Sequence, residues 1–172
     1  MPTPVCCEAY LDIETTGLAP DECEITVIGI YRWSEDGDNF IQLVGRDICS
    51  QAILEALTGV TMIYTYNGSR FDLPYIKRVL GLNLTHVFNH CDLMHHCWQK
   101  GLRGGLKKVE QQLGVKRRLE GLNGYDAVRL WFRYTENDDE EALKTLLEYN
   151  KEDVINLHQV RTMLLTETLS VN

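Results

Sequence analysis

The sequence predicts an α/β domain, a mixed β-sheet covered by helices, and three observations carry that prediction. The N-terminal third reads as three strands, two of them joined by a hairpin signal. The middle alternates helix and strand. Everything after Gly104-Gly105 reads as helix, and that order of elements lays helices over a mixed sheet.

The first strand leads into Tyr10-Leu11-Asp12-Ile13-Glu14-Thr15-Thr16-Gly17-Leu18. Val5, Cys7, Ala9, Leu11 and Ile13 form one apolar row, with Tyr10, Asp12 and Glu14 on the other. That period of two marks a strand with one face in a core, and it brings both carboxylates out on one face, roughly 6–7 Å apart. Paired acids repel and lose hydration, which a strand serving only the core has no reason to carry. The bland alternative is a surface strand with an acidic polar face. Residues 15–21 are loop chemistry. Residues 24–33 form a second strand, 34–38 a turn signal and 39–44 a third strand, which pairs antiparallel with the second. A helix over 50–57 follows behind a Ser50 cap and ends at Gly59. A fourth strand over 61–66 stops at Asn67-Gly68, and a helix over 73–80 carries Pro74 in its first turn, where the missing N–H costs nothing. Gly81 closes that helix. Thr85 to Phe88 reads as a short fifth strand and 92–98 as a helix; helices over 106–113, stopped by Gly114, then 125–134 and 139–165 complete the chain.

The 172 residues are read as one domain over 1–172, long enough to bury a core without disulfides or a structural metal. No apolar run approaches the ~18 residues that span a bilayer. Met1-Pro2-Thr3-Pro4 lacks the basic region and apolar stretch of a secretory signal, so a cytoplasmic location is expected. The six cysteines show no disulfide spacing and read as reduced, mostly buried thiols. A net charge of −8 argues at first against nucleic acid, but its distribution is uneven. Residues 100–118 hold seven basic side chains against Glu110 alone, whereas 136–141 is almost wholly acidic. The basic segment suits a phosphate backbone, or equally a solvated helix face and loop.

Two further acids stand out. Asp72, at the corner after the fourth strand, sits where an N-cap is the common role; the alternative is an acid delivered to the sheet edge, where open α/β sheets bind ligands. Tyr149 and Asp153, four apart on the last helix, flank its apolar stripe and can reach round it toward the sheet, while Glu152 points further off and reads as solvated. His86, His90, His95 and His96 cluster with Cys91 and Cys97, ligand types that suit zinc. There is no C-x-x-C, however, and the cluster spans a strand and a helix that point its groups apart. Asp92 reads as the cap of its helix.

Taken in order, D-x-E-T-T-G-L from Asp12, Y-N-G-x-x-F-D-x-P from Tyr66 and Y-x-x-x-D from Tyr149 resemble the three motifs of the DEDD superfamily of 3′–5′ exonucleases, in its Tyr-containing branch. The intervening segments look closest to the YprB-like group of exonucleases. The resemblance covers residues 10–153 and implies a ribonuclease H-like five-stranded sheet of order 3-2-1-4-5 with strand 2 antiparallel. It implies that Asp12, Glu14, Asp72 and Asp153 hold two Mg²⁺ or Mn²⁺ ions and that Tyr149 sits beside the attacking water. Thr15, Asn67, Phe71, Lys107, Lys108, Arg117 and Arg118 are then expected to contact a nucleic acid, DNA or RNA, at its 3′ end. The chemistry agrees: four converging acids cannot all stay ionised without compensation, two divalent ions offset them, and all-oxygen ligands select hard cations. A phenol is only ~0.1% ionised at pH 7, so Tyr149 is expected to orient the water rather than deprotonate it. A ribonuclease H-fold endonuclease and a non-catalytic binding module are the competing readings. Without a separate binding domain, weak processivity or a partner protein that delivers ends is expected.

Overall fold

β1 (Cys7–Thr15) is the axis of the molecule, because both of its faces are covered. In the computed structural model, which describes residues 7–169 with side chains to 166, Ala9, Leu11 and Ile13 enter one buried cluster and Tyr10 another. Val5 and Cys6 lie outside the described residues. β2 (Ile25–Ser34) pairs antiparallel with β1, and β3 (Gly37–Val44) antiparallel with β2 through a tight hairpin whose last pair is Ser34 with Gly37. α1 (Ser50–Ala56) crosses to β4 (Val60–Thr65), which runs parallel to β1 on its other side. α2 (Asp72–Leu80) leads to β5 (Asn89–Asp92), parallel to β4. The sheet order is β3-β2-β1-β4-β5, as the resemblance implied.

α3 (Leu93–Gln99), α4 (Leu106–Leu113), α5 (Gly124–Asn137) and α6 (Glu140–Leu169) complete the fold. Ile53, Ala56, Leu73, Tyr75 and Ile76 of α1 and α2 pack under one face of the sheet. Leu93, Cys97, Val109, Val154, Leu157 and Val160 of α3, α4 and α6 pack on the other, around Tyr10 and Tyr64. α5 docks through Ala127 and Leu130 against Ala142, Leu146 and Val27. Gly81 and Gly114 end α2 and α4 in the left-handed conformation, which only glycine adopts without strain. No helix among the described residues is long and apolar enough to cross a membrane.

Three local readings are corrected. The fifth strand is Asn89–Asp92, not Thr85 to Phe88. Leu84–His86 is a 3₁₀ turn that buries Leu84, while Val87 faces solvent. β-Branched Thr and Val suggested the strand, but an edge strand needs no apolar row, and Asn89, His90 and Cys91 pair with β4 all the same. The cap of α1 is Cys49, whose sulfur accepts from the Ala52 N–H; Ser50 instead donates its hydroxyl to the Leu80 carbonyl at 2.9 Å, tying α1 to α2. Glu152 is not solvated: its carboxylate accepts from the backbone N–H groups of Arg118 (2.5 Å) and Leu119 (3.1 Å) and pins the loop after α4 to α6.

Candidate active site

Asp12 and Glu14 project from β1 toward α6, as period-two geometry requires, and meet Asp153 there. Carboxylate oxygens of these three lie within 4.8 Å of one another. The meeting depends on a close approach on the neighbouring strand, β2. Gly29 pairs with Asp12 across β1 and β2, and a Cβ at Gly29 would fall 2.3 Å from Asn150 Oδ1 and 2.7 Å from Val154 Cγ2. α6 therefore rests directly on the strand backbone, and its Asn150 reaches Asp12. Asn150 is fully buried, donates to Asp12 Oδ2 (3.2 Å) and accepts from Gln42 Nε2 (3.0 Å), which also donates to the Leu147 carbonyl.

Asp72 is the first residue of α2 and does not cap it: its Oδ1 accepts from the Ile13 N–H at 3.1 Å, aiming the carboxyl at β1 between the two motif acids. The corner before it is fixed by Asp92. Asp92 caps α3 through Met94 N, as expected, and also accepts from Asn67 N (2.8 Å), Ser69 N (3.1 Å) and Ser69 Oγ (2.5 Å). These four bonds hold its carboxyl below the usual range against the opposing effect of burial. Asn67, at φ 62°, makes the left-handed turn that Asn tolerates.

The acids are electrostatically frustrated. Burial pushes Asp12 up to about 7, opposed by the Asn150 hydrogen bond and by Arg117 and Lys107. Burial, then the charge of Asp12, raise both Glu14 and Asp72 well above the carboxylate range. Tyr149 is buried beside them; burial and the charges of Glu14 and Asp12 push its phenol further up, so it stays protonated at neutral pH. Its hydroxyl accepts from Lys107 Nζ at 2.9 Å, and Lys107 also donates to the Leu122 carbonyl. Burial and neighbouring Arg117 lower the Lys107 ammonium.

Two cavities meet at this cluster. One, of about 520 Å³, is walled by Thr15, Leu18, Asn67, Phe71 and Tyr125 with Asp12, Glu14, Asp72, Tyr149 and Asp153. The other, of about 440 Å³, is walled by Lys107 and Lys108 and shares Asp12, Tyr149 and Asp153. The basic segment is thus divided. Arg118 is exposed and pairs with Glu148 at 3.6 Å, outside both cavities. Arg117, whose side chain is 8% exposed, turns inward to ion-pair with Asp153 and Glu110 and approach Glu152 at 4.0 Å; Asn156 donates to the fully buried Glu110. Asn150, Gln42 and the inward Arg117 were not read from the sequence. Asn150 did leave a signal, as a polar residue on line with Leu146 and Leu157 in the apolar stripe of α6; Gln42 and Arg117 left none.

Removal of one partner from a buried ion pair typically costs 3–5 kcal/mol. Arg117→Ala is therefore expected to lower the melting temperature by roughly 10 °C, at 2–4 °C per kcal/mol for a chain of this size. A melt indistinguishable from wild type would remove Arg117 from the buried network.

An all-oxygen donor set, converging and strained by its own charge, fits a hard divalent cation. Among relatives of known sequence, YprB of Bacillus subtilis (strain 168) is 31% identical over 163 residues, covering 86% of this chain. The chain spans only 39% of the length of YprB. MJ0365 of Methanocaldococcus jannaschii is 24% identical, with 86% of this chain and 89% of that protein covered. The same fold occurs in the family B DNA polymerase of Pyrobaculum calidifontis (TM-score 0.65, 17% identity, 92% of this chain and 25% of the polymerase). It occurs also in Brucella melitensis NrnC with bound Mg²⁺ (TM-score 0.63, 20% identity, 92% of this chain and 72% of NrnC). The RNase_H_2 family model matches residues 9–165, and the chain belongs to the RNase_H superfamily.

Proposed function

We propose that the chain is a metal-dependent 3′–5′ exonuclease that hydrolyses single-stranded ends of DNA or RNA to 5′-mononucleotides. The observation that carries this reading is the convergence of Asp12, Glu14 and Asp153 within 4.8 Å, with Asp72 and Tyr149 in the same cavity. The four carboxylates would hold Mg²⁺ or Mn²⁺, two ions per site. When bound, the ions acidify a water and stabilise the attacking and leaving oxygens of an in-line phosphoryl displacement. The chain's own groups do the rest. The Tyr149 hydroxyl accepts from Lys107, so its own proton is free to hold a water against the phosphate. Lys107 also brings a positive charge beside the reacting oxygens. Phe71, Asn67 and Thr15 wall the space for the terminal nucleotide, and Lys108 faces the adjoining strand phosphates. Brucella melitensis NrnC has been solved with bound Mg²⁺ and with pGG, which fits this reading of a related fold. A partner that delivers ends, in the cytoplasm, belongs to the same proposal.

Incubation of end-labelled single strands with Mn²⁺ tests it. Stepwise loss from the 3′ end supports the exonuclease. Internal fragments point to an endonuclease, and no cleavage of DNA, RNA or hybrid strands sinks the catalytic reading. Replacement of Lys108 with Ala should weaken binding and reduce the salt slope of log K by roughly one. An unchanged slope would return Lys108 to the solvated surface.

The frustrated acids also predict a pH dependence. The Asp12 pKa is raised from 3.8 to about 7, so its contribution to stability is full below 3.8 and is lost as pH rises through about 7. Cations bind the ionised form. The rise in melting temperature on adding Mn²⁺ should therefore be small at pH 5.5 and grow toward pH 8. A shift independent of pH in a thermal melt would contradict the burial of these carboxylates.

A further inference from the structure

We infer that the solvent face of α5 is a short platform for single-stranded nucleic acid leading out of the active-site cavity; this rests on the nuclease reading above. Tyr125, Arg129, Phe132 and Glu136 lie within about 60° of one another on that helix at 100° per residue, forming one outward stripe. The opposite side, Ala127 and Leu130, is buried against α6 and β2. Tyr125 is 72% exposed and walls the cavity that holds Asp12 and Asp153, as does Leu18 at 85% exposure. Phe132 is 42% exposed, and Arg129 stands exposed between the two rings. A globular helix has no folding reason to present Tyr and Phe to water on one line, whereas aromatics interleaved with a cation are what unpaired bases and their phosphates require.

The platform has a defined length. At 1.5 Å per residue, Phe132 lies about 10 Å beyond Tyr125, which spans roughly three stacked nucleotides at about 3.4 Å each. One turn further the surface changes sign. Glu136, Asp138, Glu140 and Glu141 are exposed, and Asp139 already holds Arg133 at 3.0 Å. A strand that continued along α5 would meet those carboxylates, so bound strands must leave the surface there. Footprints of about four or five nucleotides from the 3′ end follow.

Fluorescence anisotropy with 5′-labelled oligodeoxythymidylates of two to ten nucleotides, with Ca²⁺ in place of Mg²⁺ or Mn²⁺ to slow turnover, tests this. Affinity should climb up to four or five nucleotides and then level. Phe132→Ala and Arg129→Ala, both at exposed positions that leave the core intact, should each shrink the gain between two and five nucleotides, the former by roughly tenfold. A gain that persists in both variants overturns the platform, as does affinity that keeps rising to ten nucleotides. An equal gain for duplexes of the same length overturns the single-strand assignment. A wild-type dimer that Phe132→Ala converts to monomer, with binding unchanged, assigns the stripe to a second copy of the chain instead. Wild type that binds no length at all sinks the nuclease reading with the platform. Normal Mn²⁺-dependent cleavage beside unchanged variant binding sinks the platform alone.

Discussion

Asp12→Asn is expected to abolish metal-dependent cleavage, by at least about a thousandfold, while raising the stability of the metal-free protein. The two effects have one cause. Asp12 is held near Glu14, Asp72 and Asp153, and burial raises its pKa to about 7, so at pH 8 its negative charge is only partly offset by Asn150, Arg117 and Lys107 in the absence of a cation. Asn keeps the shape and can still pair with Asn150 but carries no charge to repel its neighbours. The same missing charge removes a cation ligand, and cation stabilisation of a phosphoryl transition state is worth several kcal/mol, each 1.36 kcal/mol being tenfold in rate. Parallel assays of cleavage and thermal melting at pH 8 without metal check both halves. A variant that melts lower than wild type, or cuts at a comparable rate, would show that the carboxylate cluster is not the frustrated cation site described above.

Gly29→Ala should be nearly as damaging, although Gly29 belongs to no motif. The added Cβ would overlap Asn150 and Val154, and neither can give way cheaply: Asn150 is held by Gln42 and Asp12, and Val154 is fully buried. α6 must lift from β2. Overpacking of this kind costs about 1–3 kcal/mol, or roughly 2–12 °C in melting temperature for a chain of this length. The larger consequence is for the site, because Asn150, Tyr149 and Asp153 ride on the same helix, and a displacement of about 1 Å can cost a hundredfold in rate. The expected variant is folded, a few degrees less stable and about a hundredfold slower. Full activity in the presence of the extra methyl would mean that α6 has slack at this contact.

β1 to β4 were legible because period-two alternation and β-branched runs are local signals and the hairpin between β2 and β3 has local turn chemistry, whereas the strand order came from the resemblance. Asp12 and Glu14 were legible because paired acids on a core strand are costly and stand out, and Asp72 and Asp153 through the ordered motifs that resemble the family's. What escaped reading was set by neighbours remote in sequence. β5 is a strand because β4 offers it a parallel edge, not because of its own residues. Of the two readings of Asp72, the sheet edge over the cap was decided only by the corner that Asp92 holds, which turns the carboxyl toward Ile13 of β1. Arg117, expected to contact nucleic acid, instead turns inward to Asp153 on α6 and to the buried Glu110. Glu152 likewise answers to two N–H groups more than thirty residues away.

The position of α6 also has a consequence in time. Asp12 lies on β1, while Asn150 and Asp153, which complete its surroundings, lie on α6. During synthesis at about 5–20 residues per second, the N-terminal acids leave the ribosome roughly 7–30 s before the last helix can dock. Until then Asp12 and Glu14 face water at the rim of an unfinished sheet, without Asn150, Tyr149 or Asp153. An N-terminal fragment that stops short of α6 lacks Asn150, Tyr149 and Asp153, and so carries the two acids of β1 without the cluster. Docking of α6 and appearance of the carboxylate cluster are a single event.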